Sequence, residues 1–167
     1  MPRNLRKHVV LLLLCILSFS AEAVTLYGHR GARGLAPENT LLAFEQALKH
    51  RVDAIDLDIV MTKDGVLVVH HGLTLSADIT RDANGNWVQD ESIAVKDLTL
   101  EQIKTYDVGS VQPGARYGEI YSAQSFGEEP VAIPTLAEAI DYIKAHADYP
   151  VGYQIEIKTN PTKPEWS

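Results

Sequence analysis

Cysteine is almost absent from this sequence: Cys15 is the only one in 167 residues. It lies in the leading apolar run, so the body of the chain has no disulfide and must draw its stability from burial. An excess of positive charge is also missing. Lysine plus arginine number 15 against 22 aspartates and glutamates, a net charge of −7, which argues against a nucleic-acid partner. Long hydrophobic runs are missing as well. Val9–Leu17 falls well short of the roughly 20 apolar residues needed to cross a bilayer. No internal repeat, low-complexity tract or linker interrupts the chain.

The first residues carry a processing pattern. Arg3, Arg6 and Lys7 precede the apolar run, and small residues then lead to Ala21-Glu22-Ala23. This three-part order predicts a secretory signal peptide over residues 1–23, with Val24 as the first mature residue. A retained signal anchor is the alternative. A lipoprotein is not indicated, because Leu14 rather than a small residue precedes Cys15. The expected location is periplasmic or secreted, with no membrane span after the signal is removed. Loss of residues 1–23 takes three basic residues and one acid, so the net charge moves from −7 to −9. Residues 24–167 are enough for one domain with its own core.

The coarse pattern of the rest is α/β. Val24–Tyr27 reads as a short strand ending at Gly28-His29-Arg30-Gly31. Thr40–His50 has helical spacing, with Asn39 or Thr40 as its cap. Ala54–Met61 reads as a strand, Thr62–Gly65 as a turn and Val66–His70 as a second strand. Thr99 with Gln102, and Thr135 with Glu138, are capping-box pairs that open helices to about Tyr106 and Ala147. Gln112–Pro130 reads as a long loop and Val151–Ile157 as a last strand. This order favours a largely parallel sheet. His29, Asp58, His71 and Lys158 fall near strand ends, where a (β/α) barrel keeps its active site.

Asp56-Leu57-Asp58 lies inside an apolar strand. Alternation sends both carboxylates to one face and Ile55, Leu57 and Ile59 to the other. Two adjacent acids on a buried face repel each other and are costly to desolvate, and a divalent cation with oxygen ligands removes that conflict. Glu156 and Lys158 repeat the pattern on the last strand, Glu156 as a third cation ligand and Lys158 as a phosphate contact. The fork of Arg30 matches phosphate oxygens. His29 and His71 each follow an apolar strand, and a pair of imidazoles can share acid and base work. His70 is expected to face the opposite way from His71.

The ordered set His29-Arg30-Gly31, Pro37-Glu38-Asn39-Thr40, Asp56-Leu57-Asp58, Thr62-x-Asp64-Gly65 and Val68-Val69-x-His71 resembles the glycerophosphodiester phosphodiesterases. Ile79-Thr80-Arg81-Asp82, Ile133-Pro134-Thr135-Leu136 and Ile155-Glu156-Ile157-Lys158 extend the resemblance to the family's bacterial exported branch and to the whole of residues 24–167.

That resemblance implies a TIM-type (β/α) barrel, of which this chain supplies the N-terminal half to two-thirds. It implies metal-dependent hydrolysis of small glycerophosphodiesters to glycerol 3-phosphate and an alcohol. His29 and His71 match the general acid and base, and Arg30 and Lys158 match phosphate-binding positions. Asp56, Asp58 and Glu156 match the ligands of a divalent cation, Mg²⁺ or Ca²⁺, with Mn²⁺ compatible. Glu38 matches a supporting active-site carboxylate.

The sequence departs from the family where Asp56 replaces a Glu, where Gly72 replaces an Asp, and in length, since such a barrel takes about 250 residues. Such a chain could be completed by a second half or a partner chain, and alone it is expected to be poorly stable and weakly active or inactive. Two other readings stay open: an exported phosphate-ligand-binding protein without turnover, and a related phospholipid phosphodiesterase.

Overall fold

A computed structural model describes residues 24–89, 92–126 and 129–164; the expected signal peptide lies outside these residues. Strand β2, Ala54–Met61, is the centre of the sheet and is buried along its length except at Met61. Its β-branched and apolar residues suit a strand covered on both faces. Strand β1, Tyr27–Gly28, pairs in parallel with Ala54 and Ile55. Strand β4, Gly152–Ile157, pairs in parallel from Ala54↔Gly152 to Ile59↔Ile157. Strand β3, Leu67–Val69, pairs antiparallel with Ile59–Met61.

Backbone bonds fix which strand lies on which edge. Gly31 N–H donates to the Asp56 carbonyl and His70 N–H to the Asp58 carbonyl, whereas Lys158 N–H donates to the Ile59 carbonyl. Carbonyls alternate between edges, so β1 and β3 share one edge of β2 and β4 takes the other.

The expected parallel arrangement holds for β1, β2 and β4 but not for β3. The cause is the turn at Thr62–Gly65. Thr62 N–H donates to Val66 O at 2.9 Å, Thr62 Oγ1 donates to Asp64 Oδ1 at 2.6 Å, and Gly65 has φ +79°. A connection this tight joins only antiparallel strands. The first strand is also shorter than expected. Residues 24–26 lie outside it, and Leu26 N–H donates to the Asp53 carboxylate at 2.7 Å.

Helix α1, Leu41–Lys49, begins at Thr40, whose hydroxyl accepts from Ala43 N–H at 3.2 Å and donates to Pro37 O at 2.6 Å. Helix α2, Leu100–Ile103, and helix α4, Leu136–His146, both open with complete capping boxes. Between them the expected loop folds into one short helix, α3, Arg116–Ile120.

Phe44, Ala47 and Leu48 of α1 and Ala139 and Ile143 of α4 pack on Ile55, Leu57 and Ile59. Each large side chain buried in this way contributes about 1.5–3 kcal/mol. That packing commits one face of β2 to the helices and turns Asp56 and Asp58 to the other. A second cluster, Val60, Val68, Leu75, Val95, Ile103, Val108 and Ile133, supports β3 and the loops beyond it. Among the described residues the outer edge of β4 has no strand beside it, and Ile157 is 70% exposed. No described helix is long and apolar enough to cross a membrane.

Thr40 joins the fold to the site, because its cap sets where α1 begins just after Asn39. Thr40→Ala is expected to cost about 1 kcal/mol, the usual value of such a cap, read as a lowered midpoint in urea denaturation. An unchanged midpoint contradicts the capping role.

Candidate active site

The turn after β1 is built for close approach. A Cβ on Gly28 would lie 2.4 Å from the Gly31 carbonyl oxygen, so no larger residue fits there. Arg30 takes φ +52°, a left-handed conformation unusual for an arginine. Gly31 N–H donates to the carbonyls of both Gly28 and Asp56 at 3.0 Å. These bonds tie the turn across β2 and set His29 and Arg30 over the two acids.

Asp58 is the hub, 1% exposed. Its Oδ2 accepts from the Asn39 side-chain amide at 2.8 Å, and Arg30 Nε approaches the same oxygen to 3.3 Å without hydrogen-bond alignment. Its Oδ1 meets Lys158 Nζ at 2.9 Å. Burial raises the Asp58 carboxyl, but hydrogen bonds from Lys158 and Asn39 and the charges of Lys158 and Arg30 outweigh it and hold the group below its ordinary value. Asn39 is placed by its own φ of +56° and by its N–H, which donates to Arg30 O at 3.0 Å.

Asp56 is 7% exposed. Its Oδ2 lies 3.7 Å from His29 Nε2 and accepts from Arg30 N–H at 3.4 Å. Its Oδ1 is buried without a hydrogen bond. Arg33 Nη2 meets His29 Nδ1 at 3.1 Å. A guanidinium only donates, so Nδ1 accepts and the ring proton sits on Nε2, facing Asp56.

Lys158 lies between two of the expected cation ligands, at 2.9 Å from Asp58 Oδ1 and 2.5 Å from Glu156 Oε1. Glu156 is half-exposed on the edge strand. Burial lowers the Lys158 ammonium, but the hydrogen bonds to Asp58 and Glu156 raise it further, so it stays charged. Among the described residues no three His, Cys, Asp or Glu side chains are grouped so that they could hold a cation, so Asp56, Asp58 and Glu156 do not converge as a ligand set here.

His71 lies across a cavity of about 600 Å³ that Arg30, Arg33, Glu38, Tyr117 and Tyr121 also line. Desolvation and then the Arg30 charge push its imidazole below the ordinary value, against the pull of Asp58. It is therefore neutral near pH 7. His70 borders the same cavity, but it is buried and engages Gly72 O through Nδ1 at 2.8 Å, as suits a structural residue. Gly72 is tightly held as well. A Cβ there would come within 2.6 Å of Thr74 O, so this backbone has no room for a larger residue.

The structure thus gathers His29, Arg30, Glu38, Asp56, Asp58, His71, Glu156 and Lys158 on one face. Sequence reasoning missed Asn39 as a ligand of Asp58, and it missed Arg33, Tyr117 and Gln124 altogether. Only Asn39 had a local signal, its place inside Pro37-Glu38-Asn39-Thr40. Arg33 and Gln124 lie in irregular segments and Tyr117 on the short α3, and all three reach the site by folding alone.

Comparison with known proteins agrees with this geometry. The family described as the Glycerophosphoryl diester phosphodiesterase family matches residues 29–166. The glycerophosphodiester phosphodiesterase of Bacillus subtilis (strain 168) is 40% identical over 146 residues, which is 87% of this chain and 43% of that protein. A crystal structure from Silicibacter pomeroyi DSS-3, assigned to the same family, superposes with a TM-score of 0.79 at 36% identity. The match covers 85% of this chain and 48% of that one. A phosphodiesterase of Oleispira antarctica, solved with the product sn-glycerol-3-phosphate, matches with a TM-score of 0.57 at 28% identity. It covers 81% of this chain and 44% of that one. The chain spans less than half the length of each of these relatives. Its strands and helices form part of a TIM-type barrel, and the chain belongs to the glycerophosphoryl diester phosphodiesterase family.

Proposed function

We propose that this chain carries the phosphate- and cation-binding part of a site that hydrolyses small glycerophosphodiesters to glycerol 3-phosphate and an alcohol. One observation supports this reading above the rest. Asp56 and Asp58 project from one strand into a cluster that also contains two histidines, Arg30 and Lys158.

The chemistry of the donors fits a divalent cation. Asp56 Oδ1 is a buried carboxylate oxygen that no donor satisfies, and such an atom is costly unless a cation or proton meets it. Asp56, Asp58 and Glu156 would hold the ion, Mg²⁺, Ca²⁺ or Mn²⁺, all suited to oxygen ligands. Bound there, it supplies charge neutralisation at the phosphate oxygens. Lys158, whose ammonium lies between Asp58 and Glu156, would be the cation at hand for a phosphate oxygen. Arg30, held by Glu38, offers the phosphate a fixed fork. Neutral His71 can accept the proton of the attacking hydroxyl, and it could deliver one to the leaving alkoxide only after it has itself been protonated. His29, with its proton on Nε2, serves in the complementary role.

A phosphate-ligand-binding protein without turnover is the second reading. Lys158 lying between Asp58 and Glu156 favours it, since that ammonium already balances the acids. Localisation belongs to the proposal as well: residues 1–23 direct export, and N-terminal sequencing of protein secreted by a bacterial host is expected to begin at Val24.

Release of sn-glycerol 3-phosphate from glycerophosphocholine and glycerophosphoinositol, set beside release of acylated glycerol phosphate from lysophospholipids, separates these readings. Hydrolysis is expected to need added divalent cation and to fall about 10²–10⁴-fold in His29→Ala and in His71→Ala. Preference for the lysophospholipids would indicate the phospholipid phosphodiesterase instead. Product release indifferent to chelator and to both histidines would overturn the mechanism. Binding of glycerol 3-phosphate without release would establish the second reading.

A further inference from the structure

Segment 112–124 contributes nothing to the sequence motifs, yet it reaches the centre of the site. Tyr117, on α3, donates its hydroxyl proton to Glu38 Oε2 at 2.8 Å. The other Glu38 oxygen, Oε1, accepts from Arg30 Nη1 at 2.7 Å. Glu38 is only 9% exposed, so neither oxygen is freely solvated. A carboxylate held at one oxygen can still turn about its last torsion, whereas one held at both cannot.

The segment is itself fastened. The Gln124 side-chain amide, 8% exposed, donates to Arg33 O at 2.6 Å, to Ala36 O at 3.2 Å and to Tyr117 Oη at 3.2 Å. One amide therefore ties the segment to the backbone on both sides of Gly34-Leu35 and to the tyrosine. Tyr121, one turn on, packs at 4.6 Å from the Tyr117 ring and lies under the Arg33 guanidinium at 4.7 Å. Burial and the Glu38 charge raise the Tyr117 phenol well above its ordinary range, so it remains a donor at any working pH.

We propose that Tyr117 is a positioning residue for the phosphate clamp: by holding Glu38 at Oε2 it locks Glu38 Oε1 onto Arg30 and fixes the plane of the Arg30 guanidinium. Of the three Arg30 nitrogens, Nη1 is hydrogen-bonded to Glu38, and Nε lies 3.3 Å from Asp58 Oδ2 without hydrogen-bond alignment. Among the described residues no hydrogen bond engages Nη2, which leaves that donor for an anion in the cavity. The chain of contacts is Gln124 to Tyr117, to Glu38, to Arg30. It joins a loop with no motif of its own to the group that meets the phosphate. The inference rests on the phosphodiesterase reading only for the identity of that anion.

The test reads Arg30 directly and needs no ligand. The Arg30 Nε–Hε resonance is followed by NMR in the wild type, Tyr117→Phe, Glu38→Gln and the double variant. Tyr117→Phe removes one oxygen and keeps the ring. It is expected to shift and broaden the Arg30 resonance, and to add nothing in the Glu38→Gln background, because Tyr117 acts through Glu38. In parallel, affinity for sn-glycerol 3-phosphate measured by calorimetry is expected to fall about tenfold in Tyr117→Phe, as for other outer residues that orient a binding group. An Arg30 resonance unmoved by Tyr117→Phe overturns the proposal, and so does a full Tyr117 effect persisting in the Glu38→Gln background. If Tyr117→Phe does not fold, Gln124→Ala is read in the same way, with the same direction of shift expected. If the wild type binds no glycerol 3-phosphate while Arg30 still responds to Tyr117, the phosphodiesterase reading fails and the positioning role stands.

Discussion

Asp58→Asn is expected to destabilise the chain by about 3 kcal/mol, the cost of removing one partner from a buried charge cluster, and to abolish cation-dependent ligand binding. Asn is nearly the same shape, so packing is preserved and the effect isolates charge. Arg30 Nε and Lys158 Nζ lose the carboxylate that balances them, and the Asn39 amide donor meets a group that can present a second donor instead of an acceptor. Glu38 and Glu156 still hold the two cations from the far side, which is why the loss stays near the lower end for such clusters. In urea the midpoint is expected to move down by roughly 1–2 M for a chain of this size.

The pH dependence of that difference identifies its origin. Asp58 is held below its ordinary value of 3.8 in the folded chain. A carboxyl depressed by folding stabilises fully above its unfolded value and loses that contribution as pH falls through its folded value. Measured without added cation, the gap between wild type and Asp58→Asn is therefore wide at pH 7 and closes below pH 3.8 as Asp58 protonates. A gap that stays constant from neutral to acid pH would show that Asp58 acts through packing or hydrogen bonding and not through its charge.

What could be read in advance followed from periodicity and local chemistry. Residues 54–61 announced a buried strand by composition, and alternation alone put Asp56 and Asp58 on one face. Thr40 and the two capping boxes announced helix starts, because a side chain that bonds its own third neighbour leaves a local signature. The antiparallel course of β3 was less legible, since a three-residue apolar strand looks the same in either direction and only the turn decides. Tyr117 was not legible at all: its partner Glu38 lies 79 residues away, and α3 is too short to show a period. Lys158 was expected to contact phosphate, and in the structure its ammonium lies beside Asp58 and Glu156. An ammonium satisfies carboxylates as readily as phosphate, and residue type does not choose between them.

Gly31→Ala tests how tightly the site depends on the packing behind it. Gly31 has φ +82°, where an alanine costs about 1–2 kcal/mol in backbone energy alone. Its added Cβ would also lie 2.7 Å from the carbonyl carbon and the Cβ of Ala43, in the first turn of α1. Those atoms belong to a helix whose next residue, Phe44, is fully buried, so the helix cannot yield without opening the core. Overpacking of this kind adds about 1–3 kcal/mol. Together the two effects put the loss near 3 kcal/mol, or roughly 10 °C in melting temperature for a chain of this length.

Gly65→Ala separates the two contributions. Gly65 has φ +79° but its Cβ would meet nothing within 4 Å, so it carries the backbone cost without the collision. Gly31 N–H also bonds the Asp56 carbonyl, so any relief of the clash moves His29 and Arg30 off the two acids. Gly31→Ala is therefore expected to lose glycerol 3-phosphate affinity as well as stability, whereas Gly65→Ala keeps its affinity. Equal melting temperatures for the two variants would mean that the turn after β1 has slack, and that the approach of helix to strand does not set the geometry of the site.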